Sequence, residues 1–199
     1  MGRDKALLEF SGRPLIAHAL AILEQAGLPA AIAGAAPSAH AALQKFAPVI
    51  EDSAPGRGPL SGICSALAAT TAHYAVFLPV DLPFLPPPLL AHLLHHARTT
   101  GSAITVPSLS HFAQTFPAII DRITLPALQN ELNAGRSGCF SAFQAASAAL
   151  HQPFSTVAVE SLLASGQLSD PHDHPPADWF LNLNTPADLT RAEALYKMP

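Results

Sequence analysis

YAVFLPV, at residues 74–80, is the strongest strand pattern in this sequence, and it runs directly into Asp81. Every residue of the stretch is apolar or aromatic, which is typical of a central strand that is covered on both faces of a parallel sheet. Shorter apolar stretches alternate with helix patterns on both sides of it. The other predicted strands are 30–33, 49–50, 103–106, 116–120, 156–159 and 180–181, and predicted helices begin near residues 14, 38, 59, 87, 125, 138 and 185.

Strands that alternate with helices predict an α/β fold in three layers, with a mostly parallel sheet and helices on both faces. The length of 199 residues suits one such domain, residues 1–199. Hydrophobic residues make up 49% of the chain and charged residues 12%, a balance that argues against disorder. Ligands of such folds bind at the carboxyl ends of the strands.

The net charge, the apolar stretches and the cysteine spacing limit the partners and the cellular compartment that we expect for this chain. A net charge of −4 gives no bulk attraction to nucleic acid, so any polyanion must be bound by local groups. No apolar run is long enough to cross a bilayer, and residues 1–10 lack the apolar core of a signal peptide. Cys64 and Cys139 fit no metal or redox spacing. We therefore expect reduced thiols in a cytoplasmic protein with no nucleic-acid or membrane partner.

The first five residues, MGRDK, place two basic side chains beside a glycine, a combination that suits a polyphosphate. The flexible ammonium of Lys5 can follow phosphate oxygens as charge builds during a reaction. Arg3 is expected to add a second contact, and Asp4 to orient the loop. The alternative for Lys5 is an ordinary surface lysine near a chain terminus.

Asp81 is the best candidate for a metal ligand. It follows a buried strand, so its carboxylate is held on a rigid mount, and a charge in that position needs a partner. Mg²⁺ binds one or two protein carboxylates together with phosphate oxygens and water. The alternative is an aspartate that caps a turn or a helix.

Polar residues from three distant segments follow predicted strands and should converge on one edge of the sheet: Asp52, Asp81 and the pair Asn182 and Asn184. Asn182 and Asn184 are two residues apart, and we expect only one of them to face a metal at Asp81. Asn184 has a second interpretation, as a helix cap beside Thr185, and Asp52 has one as a turn residue.

Other polar clusters in the sequence predict neither a metal site nor a catalytic triad. His92, His95 and His96 are expected to form a solvated helix face rather than a zinc site, and the segment 172–174 is expected to be a polar loop. Ser61 and Ser65 flank Cys64, but no general base accompanies them, so a hydrolase triad has no support.

Four segments carry a resemblance to a known family: MGRDKALLEFSGRPLI at 1–16, EDSAPGRGPLSGI at 51–63, FLPVDLPFLPPPLL at 77–90 and FLNLNTPADL at 180–189. In their order and spacing they resemble the molybdenum cofactor guanylyltransferases, within the broader nucleotidyltransferase family. The resemblance implies a Rossmann-like nucleotidyltransferase fold. It also implies a Mg²⁺-dependent reaction in which the phosphate of molybdopterin attacks the α-phosphate of GTP, pyrophosphate leaves and a dinucleotide forms.

The resemblance also implies roles for individual residues. Lys5 and Asp81 would be catalytic, and Asp81 and Asn184 would hold Mg²⁺. The nucleotide would be bound by a set that spans the first three segments: Gly2, Arg3, Lys5, Asp52, Gly58, Pro59, Leu60 and Asp81. Gln114 and Arg136 fall where relatives bind the acceptor, although a loop that joins helices explains them equally well. Delivery of an oxidation-sensitive product suggests contact with molybdoenzyme apoproteins or their chaperones.

The sequence differs from the family pattern at the N-terminus. Relatives have a first strand and a glycine-rich loop of the type LAGGxSxR before the segment that begins here at Met1, so we expect an unpaired strand edge and an N-terminally incomplete domain. Residues 31–34 contain no side chain that reads a purine edge. The alternatives to GTP chemistry are a related enzyme that uses CTP or another acceptor, and a non-catalytic nucleotide-binding module.

Overall fold

The computed structural model describes residues 5–170 and 173–196. Its strands are β1 Glu9–Phe10, β2 Arg13–Pro14, β3 Ile32–Ala33, β4 Val49–Ile50, β5 Tyr74–Phe77, β6 Ile104–Leu109, β7 Phe112–Ala113, β8 Ala118–Asp121 and β9 Phe154–Ala158. Its α-helices are α1 Leu15–Gln25, α2 His40–Leu43, α3 Pro59–Ala69, α4 Pro87–Thr100, α5 Leu125–Asn133, α6 Cys139–Ala149, α7 Val159–Ala164, α8 Pro176–Trp179 and α9 Pro186–Tyr196. Short 3₁₀ turns occupy Lys5–Leu7, Pro37–Ala39 and Arg122–Thr124.

Proline and glycine set many of the helix boundaries. Pro59 and Pro87 stand in the first turn of α3 and α4, where a missing N–H leaves no intrahelical bond unmade. Gly101 ends α4 in the left-handed conformation, at φ +65°. Within the described residues, no helix has the length and apolar character needed to cross a membrane.

The main sheet has five strands and is mixed. Its order is β5-β8-β6-β7, and β9 also pairs with β6, over residues 104–108. β6 and β9 are parallel, whereas β8 is antiparallel to both β5 and β6. Consequently β5, β6 and β9 point the same way and β8 runs between them in the opposite direction. Two smaller sheets pair β1 with β2 and β3 with β4, the latter in parallel.

Helices cover both faces of the five-stranded sheet. Successive residues of β8 point to opposite faces, as the strand period of two requires. Ile120 belongs to a core cluster with residues of α3, α5 and α6. Ile119, its neighbour, belongs to a second cluster with residues of α1 and α4, together with Trp179. The α/β fold with helices on both faces is therefore confirmed.

Three details differ from the sequence-based expectations. The sheet is mixed rather than mostly parallel, because β8 is inserted in reverse between strands of one direction. The strand predicted over 74–80 ends at Phe77, and its residues are half-buried, since in the described chain β5 pairs only with β8. The strand expected at 180–181 is not formed: those residues follow α8 as irregular chain.

Candidate active site

A main-chain hydrogen bond joins two of the predicted site segments. Asp81 lies four residues after the end of β5, and its carbonyl oxygen accepts a hydrogen bond from the N–H of Leu183 at 3.1 Å. This bond holds the chain before α9 against the chain after β5. The residues on either side of Leu183 are Asn182 and Asn184, so the contact brings both amides to the carboxyl end of β5.

Lys5 joins these segments through its ammonium group. Its Nζ donates to Asp81 Oδ2 at 2.6 Å and to Asn184 Oδ1 at 2.5 Å. The Lys5 side chain is 36% exposed and that of Asp81 is 15% exposed. The structure thus assembles Lys5, Asp81 and Asn184 from positions that are far apart in the sequence.

Asn184 is held in place by the start of α9. Asp188 Oδ2 accepts hydrogen bonds from the N–H groups of Asn184 and Thr185, at 3.0 and 2.7 Å, and its own N–H donates to Thr185 Oγ1. This reciprocal pattern is a capping box. The side-chain and main-chain hydrogen bonds with Thr185 lower the pKa of the Asp188 carboxyl. The predicted helix start at Thr185 therefore also fixes the backbone that presents Asn184.

The donor atoms at this edge fit a magnesium ion that arrives with a phosphate. Asp81 Oδ1 is buried and has no hydrogen-bond partner among the described residues. Asp81 and Asn184 both contact one ammonium, so a single cation can also contact both. The described residues contain no group of three or more histidine, cysteine, aspartate or glutamate side chains arranged for a metal. A site with one carboxylate and one amide leaves positions for phosphate oxygens and water, as Mg²⁺ prefers.

A cleft of about 870 Å³ opens beside Asp81. Its walls are the loop after β3, the turn at Asp52, the first turns of α3, and the chain that follows β5. Asp52, Asp81 and Asn182 supply its polar side chains. The remaining lining residues are glycine, alanine, proline or larger apolar residues: Ala33, Gly34, Ala35, Ala36, Pro37, Pro55, Gly56, Gly58, Pro59, Gly62, Ile63, Phe77, Leu78, Pro79 and Phe116.

Glycines bring the backbone close on two sides of this cleft. Gly58 precedes α3 at φ +80°, a conformation that a side chain rarely adopts. A Cβ added to Gly62 would lie 2.9 Å from the Cα and 3.0 Å from the nitrogen of Gly34. Gly62 therefore lets the loop after β3 lie directly on α3. Pro59 lines the cleft, whereas Leu60 is fully buried in the core, so the Leu60 side chain does not line the cleft.

Asp52 lies in a tight turn that is tied to α3. Its Oδ1 accepts hydrogen bonds from the N–H of Ala54, at 3.0 Å, and from the hydroxyl of Ser61. The first bond is the turn geometry that sequence reasoning offered as the alternative for Asp52. The second was missed, because nothing in the sequence spacing joins residue 52 to residue 61. Asp52 nevertheless lines the cleft.

The two candidate acceptor residues make different contacts. Gln114 lines a smaller pocket of about 210 Å³ that shares Phe116 and Asn182 with the main cleft. Arg136 forms a two-pronged ion pair with Glu131, with Nε–Oε2 at 2.6 Å and Nη2–Oε1 at 2.7 Å. Hydrogen bonding to Arg136 lowers the pKa of Glu131. The guanidinium that was expected to bind the acceptor is thus paired with a carboxylate in the last turn of α5.

Three groups of candidate residues remain: the N-terminal residues, the histidines and the cysteines. Gly2, Arg3 and Asp4 lie outside the described residues, as does His172. His92 contacts the carbonyl oxygen of Gln167 at 2.6 Å, on an exposed helix face. Burial raises the pKa of Cys64 and of Cys139 to about 11, which is consistent with inert thiols.

A glycine-lined cleft at the carboxyl ends of strands, with a lysine and a carboxylate at its edge, is typical of an α/β protein that binds nucleotides. Comparison with known proteins narrows the class. Residues 1–152 match the family model described as the MobA-like NTP transferase domain. The chain belongs to this family, and it is therefore a nucleotidyltransferase.

Curated relatives and a solved structure agree with this assignment. A probable molybdenum cofactor guanylyltransferase of Haloferax mediterranei is 32% identical over 192 residues, which cover 94% of this chain and 84% of that protein. The molybdenum cofactor guanylyltransferase of Rhodobacter capsulatus is 32% identical over 207 residues, covering 97% and 88%. The fold is shared with molybdopterin-guanine dinucleotide biosynthesis protein A of Archaeoglobus fulgidus, at a TM-score of 0.77 and 22% identity, over 99% of this chain and 93% of that one.

Proposed function

We propose that this protein transfers GMP from GTP to the phosphate of molybdopterin and releases pyrophosphate. A phosphate oxygen of molybdopterin attacks the α-phosphorus of GTP, the bond from that phosphorus to the β-phosphate oxygen breaks, and molybdopterin guanine dinucleotide forms. The names of the two curated relatives support the substrates. The observation that carries the proposal is the contact of Lys5 with Asp81 and Asn184 beside the cleft.

In this reaction the protein acts through position and charge. Lys5 is the cation at the cleft edge, and we assign it to the phosphate oxygens on which negative charge grows. Asp81 and Asn184 would hold Mg²⁺, which supplies neutralisation of the triphosphate when it is bound. Asp52 would accept a hydrogen bond from the ribose or the base, because a carboxylate facing the cleft suits a donor better than it suits a phosphate.

Two further assignments concern the acceptor. Gln114 lies in the smaller pocket that adjoins the cleft, and its amide can hydrogen-bond a heterocycle there. Arg136 can reach an acceptor phosphate only by leaving Glu131. We therefore assign acceptor binding to Gln114 rather than to Arg136. We expect release of product to molybdoenzyme apoproteins or their chaperones to occur on the side of the molecule that carries the pocket of Gln114.

A second candidate is transfer from CTP, because one wall of the cleft has no side chain that distinguishes a purine from a pyrimidine. The wall formed by residues 33–37 has no side chain that can donate or accept a hydrogen bond, so a base placed there is read by main-chain groups alone. The third alternative, a non-catalytic nucleotide-binding module, is disfavoured by membership in an enzyme family.

The test is a transfer assay with nucleotides labelled at the α-phosphate. The full chain is incubated with Mg²⁺, molybdopterin and either GTP or CTP, and labelled dinucleotide and pyrophosphate are measured. We expect product from GTP, and an Asp81→Asn variant should form little. More product from CTP than from GTP would support the second candidate. Equal amounts of product with and without molybdopterin would show that molybdopterin is not the acceptor.

A further inference from the structure

Two buried serines of α3 are not explained by the proposed chemistry. Ser61 and Ser65 are four residues apart, so they lie on one face of the helix. Ser61 is fully buried and Ser65 is nearly so. Serine weakens a helix interior relative to alanine, and a buried hydroxyl needs a hydrogen-bond partner to offset the loss of water. The partners of the two hydroxyls therefore indicate what the serines do.

Both hydroxyls bind the same three-residue turn, Asp52-Ser53-Ala54. Ser61 donates to Asp52 Oδ1. Ser65 Oγ accepts from the N–H of Ser53 at 3.0 Å and contacts the Ser53 hydroxyl at 3.0 Å. The turn is closed by the N–H of Ala54, which donates to Asp52 Oδ1 at 3.0 Å.

The result is an asymmetric carboxylate. Asp52 Oδ1 receives two hydrogen bonds, and Oδ2 receives none from the described residues. Two donors on one oxygen fix the rotation of the carboxylate about its Cβ–Cγ bond. Asp52 lines the cleft, and its second oxygen has no partner among the described residues, so that oxygen is available to a ligand in the cleft.

We propose that Ser61 is a positioning residue for the nucleoside half of the substrate, with Ser65 as its support. Ser61 orients Asp52 so that Oδ2 is presented, before the ligand arrives, to a hydroxyl or N–H donor of the nucleoside. A carboxylate that must be ordered during binding lowers affinity, whereas one that is already ordered does not. The inference rests on the proposed function, because it needs a nucleotide in the cleft.

The proposal predicts a particular kinetic signature. Asp52 is assigned to a part of the substrate that does not react, so its contact stabilises the ground state and the transition state equally. Ser61→Ala should raise KM for GTP and the Kd for GTP by about fivefold to tenfold, the scale of the net contribution of one hydrogen bond. It should leave kcat within about twofold. A serine that only held the fold would instead lower the melting temperature without this division between KM and kcat.

The experiment is a double-mutant cycle of Ser61→Ala and Asp52→Ala in the full chain, with GTP titration, steady-state kinetics and a melting curve for each variant. Ser147→Ala is the matched control, because Ser147 is a buried helix serine whose hydroxyl has no partner among the described residues. We expect Ser61→Ala to weaken GTP binding in the parent and to add nothing in the Asp52→Ala background.

Each other outcome overturns the inference in a distinguishable way. If Asp52→Ala weakens GTP binding and Ser61→Ala does not, Ser61 does not position Asp52 and the proposed function stands. If the two effects add fully, Ser61 acts independently of Asp52. If Asp52→Ala leaves GTP binding unchanged, the assignment of Asp52 to the nucleotide fails together with the inference. An effect of Ser147→Ala as large as that of Ser61→Ala would show a general consequence of altering buried serines.

Discussion

Replacing Asp81 by asparagine keeps the shape of the side chain and removes its charge. The amide oxygen of asparagine can still accept the hydrogen bond from Lys5 Nζ, which is 2.6 Å from Oδ2 in the parent. The ion pair is lost, but Lys5 is 36% exposed. Exposed ion pairs contribute about 0–1 kcal/mol to the free energy of unfolding. For a domain of this size, about 1 kcal/mol corresponds to a change of about 2–4 °C in melting temperature.

The effect on the reaction should be much larger. Asp81 supplies the one carboxylate of the proposed magnesium site, and its Oδ1 has no protein partner among the described residues. Loss of a group that stabilises transition-state charge costs about 100-fold to 1,000-fold in rate. We therefore expect Asp81→Asn to lower nucleotidyl transfer at least about 100-fold while the melting temperature changes by no more than about 4 °C.

Asp121→Asn provides the matched control. Asp121 ends β8 and pairs with Tyr74 at the amino end of β5, whereas Asp81 follows the carboxyl end of β5. Its side chain caps the following 3₁₀ turn, and asparagine caps equally well. The assay measures transfer at saturating Mg²⁺ and the melting curve of both variants. A rate for Asp81→Asn within a few-fold of the parent, or equal losses in the two variants, would refute the metal assignment.

Three further changes test other parts of the structure. Lys5→Ala should weaken GTP binding and slow single-turnover transfer about 100-fold, and Lys5→Arg should restore little because a guanidinium is not a point charge; full activity of the alanine variant would contradict this. Gly62→Ala should cost about 1–3 kcal/mol of stability through overpacking, whereas Gly138→Ala, whose added Cβ meets only a side-chain oxygen at 3.2 Å, should cost less in the same melting assay. Because burial raises the pKa of Cys64 and Cys139 from 9.0 to about 11, the unfolded chain loses these protons first, so stability should fall between pH 9 and 11 and the slope should flatten when both are replaced by alanine.

Much of the fold could be predicted because its signals are local. The helix predicted from Pro87 forms at Pro87–Thr100, and the helices expected over 125–133 and 138–149 are Leu125–Asn133 and Cys139–Ala149. Proline at the start and glycine at the end act within one turn of the helix, so a single sequence contains the whole signal.

Strand order could not be predicted in the same way. The apolar stretches that form β6 and β8 are compatible with either direction, because an apolar side chain packs in a parallel or an antiparallel pair. The direction of β8 is set by the short connections that join it to β6 through β7, as is usual for antiparallel neighbours. Residues 180–181 have the composition of a strand but follow α8 with no neighbouring strand to pair with in the described chain.

In the candidate site, too, some features could be predicted from the sequence and others could not. Asp81 and Asn184 could be expected at one edge because each follows a predicted strand, and Lys5 was assigned to the same site from its charge and the family resemblance. The structure brings the three together. The contacts of Ser61 with Asp52 and of Arg136 with Glu131 are choices among many polar partners once the backbone is in place. Sequence spacing does not distinguish a serine that supports the site from one that only faces the core.

The unpaired oxygen of Asp81, Oδ1, lowers the stability of the free protein but suits the proposed reaction. A buried acceptor without a partner costs about 1–3 kcal/mol, and a fold selected only for stability would remove that cost by pairing the atom or by replacing the carboxylate. Asp81 keeps one oxygen on Lys5 and leaves the other unpaired among the described residues, at the edge of the cleft. A cation bound with a triphosphate would satisfy that oxygen and draw Asn184 to the same centre. The cost is then present in the free enzyme and offset on binding, as preorganised sites require.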